Sequence, residues 1–184
     1  MLRNAVARFA RSEGGTVMAE AVLVLPFMLW AYLGLFVYWD AYRTINKVQK
    51  ATYTISDMIS REMITIPTTY VAGMDALLEQ MIDPNKDASI RVTSVTWSKS
   101  NNRFEVHWSR VSGSGYTALT TSTLQNYKDS IPEMSDGDYV VIVESTVHYT
   151  PAFDVGIGEE DIKNFIVTRP RFVPKICMSG VTCT

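Results

Sequence analysis

The sequence predicts an α+β protein, with a long N-terminal membrane-spanning helix followed by a small, mainly antiparallel β-sheet domain. Three observations lead to this fold class. Ala21–Trp39 is an uncharged apolar run, an amphipathic pattern continues beyond it, and the C-terminal half breaks into alternating, β-branched segments separated by turn residues.

At a helical rise of about 1.5 Å per residue the apolar run covers about 28 Å, close to the hydrocarbon thickness that about 20 apolar residues cross. Arg3, Arg8 and Arg11 precede it as they would in a secretory signal. A signal peptidase, however, needs small side chains at the cut, and this run ends in Phe36-Val37-Tyr38-Trp39. It is therefore read as a retained anchor, with Tyr32, Tyr38 and Trp39 placed for the far membrane interface. Pro26 lies inside it, so a kink or local unwinding is expected there.

Past Trp39, Ile45, Val48, Thr52, Ile55 and Ile59 recur at steps of three and four, which marks one helical face. No proline or glycine intervenes between Gly34 and Pro67, so the helix is expected to stop near Ile64 to Ile66. Either one helix covers 16–66, or a span is followed by a separate juxtamembrane helix.

The remainder, 67–184, is long enough for a core of its own. Thr69 to Ile82 has helical spacing and is followed by the turn residues Asp83-Pro84-Asn85. Ser89 to Ser98 and Arg103 to Val111 read as a hairpin joined at Lys99-Ser100-Asn101-Asn102, with Phe104, Val106 and Trp108 on one face against Glu105, His107 and Ser109. A polar connection from Gly113 to Gly137 carries a short helix near Ser122 to Ser130. Tyr139 to Tyr149 is the strongest strand, and a last one is expected over Ile162 to Thr168, before Pro170 stops the ladder.

Net charge is −2 overall. Without the three arginines and single glutamate of residues 1–15, 14 basic and 18 acidic side chains remain, a net charge of −4 for 16–184. With no basic stripe interleaved with aromatics, nucleic acid is not an expected partner. No nucleophile–base motif or phosphate-cradling loop is present, so no catalytic residues are assigned and no enzyme activity is expected. Cys177 and Cys183 flank five residues including Gly180 and can close a small disulfide loop or remain free thiols. Neither pairs with His107 or His148 at ligand spacing, so no metal or other cofactor is expected. Both histidines fall on polar sides of predicted strands, where a solvated side chain is the ordinary outcome. Glu159-Glu160-Asp161 reads as a solvated loop.

Orientation cannot come from charge counting, because Arg43, Lys47 and Lys50 balance the leader arginines. The short basic leader and the cysteine pair favour a cytoplasmic N-terminus, with 67–184 in an oxidising compartment.

The junction before the span carries a further pattern: Arg8-Phe9-Ala10-Arg11-Ser12-Glu13-Gly14-Gly15-Thr16-Val17-Met18-Ala19-Glu20, then Val24-Leu25-Pro26. A basic leader ending in glycine, a carboxylate at the fifth position after the cut and a long apolar helix resemble the class III signal of type IV pilin-like proteins. The stretch to about Ala51 is similar to TadE/TadG-like pseudopilins of the tight-adherence (Flp) pilus system. His148-Tyr149-Thr150-Pro151 and Arg169-Pro170-Arg171 are weaker echoes, while Ala21 stands where the family often has an aromatic. The resemblance implies a pilin-like fold and a cytoplasmic leader, 1–15, removed between Gly15 and Thr16 by a prepilin peptidase. It further implies a minor pilin that works with other minor pilins, the major pilin and an assembly platform in the bacterial inner membrane. Glu20 would then be an assembly residue, paired with the new α-amino group of Thr16 on the same or an adjacent subunit. The alternative is an unprocessed, membrane-anchored periplasmic binding or adhesion module.

Overall fold

Forty-five consecutive residues, Thr16–Ser60, form a single α-helix, α1, in the computed structural model, which describes residues 16–83 and 87–183. The expected leader, 1–15, and the expected turn at Pro84-Asn85 lie outside the described residues. Pro26 does not interrupt α1; proline removes only its own N–H from the ladder, and the turns on either side remain bonded. After α1 come α2 (Tyr70–Ile82), β1 (Ala88–Ser98), β2 (Arg103–Ser112), a one-turn helix α3 (Thr121–Leu124) running into a 3-10 turn (Gln125–Ser130), β3 (Tyr139–Tyr149) and β4 (Glu160–Thr168). The fold is α+β, as the sequence predicts.

The described residues fall into two compact units. One holds α1 up to Asp40 with the loop Pro151–Gly158; the other holds Ala41–Thr150 and Glu159–Thr184. In the second unit a four-stranded sheet of order β2-β1-β3-β4 is antiparallel throughout. The hairpin turn falls where expected: the Asn102 N–H donates to the Lys99 carbonyl at 3.3 Å, with Asn102 at φ 48°, a conformation asparagine tolerates better than most residues.

One sheet face carries Ile90 and Val92 of β1 and Val141, Val143 and Val147 of β3, which pack with Val48, Ala51, Ile55 and Ile59 of α1 and with Val71, Leu78 and Ile82 of α2. Each large aliphatic removed from water here contributes about 1.5–3 kcal/mol. Thr52 joins this face through hydrogen bonds. Its hydroxyl donates to the Val48 carbonyl at 2.8 Å, so Ser145 Oγ, 2.7 Å away, must be the donor of their shared bond. Ile45 departs from the expected face: it is 45 % exposed, while Thr44 is buried. Continuing the helical period back from Val48 and Ile55 reaches Thr44, and the two positions differ by about 100° around the axis.

α1 also stops earlier than expected, at Ser60. Its last carbonyls and the next segment are claimed by the tail. The Arg171 N–H donates to the Ser60 carbonyl at 2.8 Å, the Ile66 N–H to the Cys177 carbonyl at 3.0 Å, and the Ser179 N–H to the Ile66 carbonyl at 2.9 Å. Ile66 and Met178 form an isolated parallel bridge, which holds Ile66 extended and out of any helix.

The hairpin register contains a bulge. Ser94 faces Trp108 and Val95 faces Val106, so His107 is the extra residue on β2. A single inserted residue reverses the facing of everything beyond it. Trp108 therefore joins the α1 face, whereas Phe104 and Val106 pack on the opposite one with Val95, Val140 and Ile142. This corrects the expectation of one shared face for Phe104, Val106 and Trp108.

The second face is roofed by the connection between β2 and β3, through Leu119, Leu124 and Ile131, with Tyr127 and Met134 packed against them. At its centre Arg91 and Glu144, directly opposite in the β1–β3 register, form a buried two-point ion pair with N–O distances of 2.6 and 2.7 Å. The guanidinium also donates to the Thr117 carbonyl at 2.8 Å and to the Tyr127 hydroxyl at 3.2 Å, and lies 4.7 Å from the Tyr116 ring centre. Truncating one member strands a buried charge, at a cost of about 3–5 kcal/mol. Urea unfolding of the detergent-solubilised chain, followed by tryptophan fluorescence, is expected to show that loss for Glu144→Ala and most of it recovered in Arg91→Met/Glu144→Leu.

Candidate functional site

The candidate site begins at the N-terminal end of α1. From Val17 to Trp39 the large apolar side chains, half-buried Leu33 and buried Val37 excepted, are 43 to 73 % exposed. Among the described residues this is the one helix long and apolar enough to cross a membrane. Of the residues assigned to leader processing, Gly15 lies outside the described residues, and Thr16 is the first residue of the helix. Glu20 sits one turn further on and is exposed. Positions i and i+4 lie above one another on the same helix face, so a group on the Thr16 backbone is one turn from the carboxylate.

Near Phe36 the first unit gains a second element. The ring of Phe153, from the loop Pro151–Gly158, meets Phe36 edge-on with centroids 6.3 Å apart, and the adjacent Val37 is buried. The sequence reading passed over this loop because its short apolar side chains have no helical or strand period.

In the second unit Cys177 and Cys183 are joined as a disulfide with Cα atoms 5.8 Å apart. The chain turns between them at Gly180, whose φ of 82° suits glycine, and the Val181 N–H donates to the Met178 carbonyl at 3.1 Å. Trp108 Nε1 donates to the Ile176 carbonyl at 2.9 Å, and His107 Nε2 lies 3.1 Å from the Thr182 carbonyl. The tail is thus fastened to β2 at the bulge. His107, expected to be solvated, is half-buried under it, because the bulge turns it away from strict alternation.

His148 is exposed but partnered. Nδ1 is 3.0 Å from Asp161 Oδ1 and Nε2 is 3.5 Å from Glu159 Oε2. The Asp161 hydrogen bond, joined by the charges of Asp161 and Glu159, raises the imidazole above its ordinary value, and the same bond lowers Asp161. Among the described residues, no three or more His, Cys, Asp and Glu side chains come together as a metal-holding group. An open cavity of about 450 Å³ lies beside Trp97, Phe104, Ile131 and Met134, with Lys128 and Glu133 also lining it. Its charged lining residues are Lys128, Asp129 and Glu133.

The residue pair the sequence reading missed is Arg91 and Glu144. The available signal was two opposite charges inside predicted strands, where a buried sheet normally carries apolar side chains. No family model, curated protein or solved structure matches the chain.

Two outcomes follow from this geometry. Because protonated His148 is favoured in the folded state, its contribution to stability is fully present below about pH 6.5 and lost as pH rises through the raised value. An NMR titration is expected to place the His148 midpoint above that of a free imidazole and to move it down in Asp161→Asn. For the tail, thiol labelling after denaturation without reductant is expected to leave both cysteines unmodified. Cys177→Ser/Cys183→Ser is expected to lower stability by about 2 kcal/mol through chain entropy.

Proposed function

We propose that this protein is a minor pilin-like subunit, a pseudopilin of a tight-adherence pilus or a related secretion filament, which takes part in initiating or assembling the fibre after its leader is removed. The observation that carries this reading is the division of α1: its N-terminal half leaves most of its apolar side chains exposed, while one face of its C-terminal half is buried against an antiparallel sheet. A helix of this kind needs lipid, or the apolar helices of other subunits, at one end and its own domain at the other. The leader motif ending at Gly14-Gly15, followed by Glu20, supports the same reading.

Each residue then has a distinct task. Glycine at Gly15 lets the backbone enter a peptidase site without a side-chain clash. Removing 1–15 strips three arginines that would hold the helix end at the cytoplasmic surface, leaving an apolar helix that can leave the bilayer for a helical bundle. Glu20 is tolerable at the membrane border, but inside a bundle a carboxylate needs a partner, and the Thr16 amine is the nearest new cation. The expected partners are a prepilin peptidase, the major pilin, other minor pilins and an inner-membrane assembly platform. The sheet domain lies on the periplasmic side, and the role requires no cofactor.

Mass spectrometry of the N-terminus of membrane-extracted protein is expected to find Thr16 as the first residue. Gly15→Val should retain the leader and leave the chain in the membrane. Glu20→Ala should be trimmed normally yet fail to co-purify with pilus components. Trimmed Glu20→Ala that assembles like the parent would remove the pairing role, and a parent chain that still begins before Thr16 would remove the processed-pilin reading. Reporter fusions after Pro67 are expected to be active only where they require the periplasm.

A further inference from the structure

We infer that the loop Pro151–Gly158 is a second membrane contact, seated in the headgroup and upper acyl region beside the span. The inference rests on the membrane-anchored part of the reading above and is independent of the filament part.

The loop joins two neighbouring strands, yet it belongs to the compact unit of α1 up to Asp40. Its sequence, Pro-Ala-Phe-Asp-Val-Gly-Ile-Gly, carries one charge. Phe153 touches Phe36, which lies within the apolar run and three residues before Trp39. Along a helix that is about 4.5 Å, so with Trp39 at the interface, where aromatics of this type collect, Phe153 stands at or below the same level. The Phe36 contact leaves Phe153 45 % exposed, and Ala152 is exposed beside it. That remaining apolar surface adjoins a helix whose own side chains face outward, so lipid is the occupant that covers both.

Two constraints fix the depth. Irregular backbone is not tolerated in the hydrocarbon core, where its N–H and C=O groups find no water. Glu159, Glu160 and Asp161 follow directly, and His148 precedes by three residues, so charged groups bracket the loop and stay in water. The loop can therefore enter only the boundary layer in which amphipathic segments lie, about 5–10 Å deep.

The test uses the full chain in vesicles of phosphatidylethanolamine and phosphatidylglycerol containing, in parallel samples, a lipid nitroxide on a shallow acyl carbon, which reads 152 and 153, or on a deep one, which reads 29. Ala152→Cys and Phe153→Cys are each labelled with an environment-sensitive fluorophore; Cys177 and Cys183 are joined, so the added thiol is the one that reacts. Leu29→Cys reports the span and Asn101→Cys the exposed hairpin turn. Blue-shifted emission at 152 and 153, quenched by the nitroxide and protected from aqueous iodide, is the expected result. Lipid quenching at 29, with 152 and 153 as open to iodide as 101, would overturn the loop contact and leave the anchor standing. No lipid quenching at 29 would overturn the anchor, and the loop contact with it.

Discussion

The packing of Val48, Ile55 and Ile59 onto the central strands β1 and β3 is the interaction on which the rest of this structure depends. All three side chains are fully buried, and they fix one stretch of α1 to a sheet that would otherwise expose a continuous valine and isoleucine surface. A four-stranded sheet needs such cover on at least one face to be stable in water. The helix that supplies it is the same one that carries the apolar run.

The opposite face is built on a different principle. Here a largely irregular connection provides the cover, and irregular segments bury few apolar side chains per residue. Arg91 and Glu144 compensate by giving that roof directional contacts: one guanidinium holds the Glu144 carboxylate, the Thr117 carbonyl and the Tyr127 hydroxyl at once. The same connection also closes one sheet edge. Gln125 Nε2 donates to the Phe104 carbonyl and Thr121 Oγ1 accepts from the Val106 N–H, so β2 presents fewer free groups to another strand.

The parts of the candidate site differ in how legible they were. The apolar run, the lone carboxylate at its threshold and the cysteine pair are contiguous or nearly contiguous in the chain, and each announces itself by residue type. The Phe36–Phe153 contact and the Arg91–Glu144 pair join positions far apart in sequence. Nothing local distinguishes Phe153 from an aromatic in any surface loop, and Arg91 alone reads as a solvated residue on the polar side of a strand.

Sequence by itself determined the elements whose stabilisation is local or periodic. These were the helical character of the uncharged span and of the amphipathic stretch after it, α2, the hairpin with its Lys99–Asn102 turn, and β3. Periodicity of 3.6 or 2 residues survives in the chain whatever it later packs against. Tertiary structure decided what depends on partners brought from elsewhere. Tail residues Arg171 and Cys177 to Ser179 end α1 at Ser60 and hold Ile66 extended; the bulge at His107 moves Trp108 to the other face; and the sheet's position against α1 selects Thr44 over Ile45. In each case two local arrangements are close in energy, and the choice between them falls to hydrogen bonds and packing made at long range.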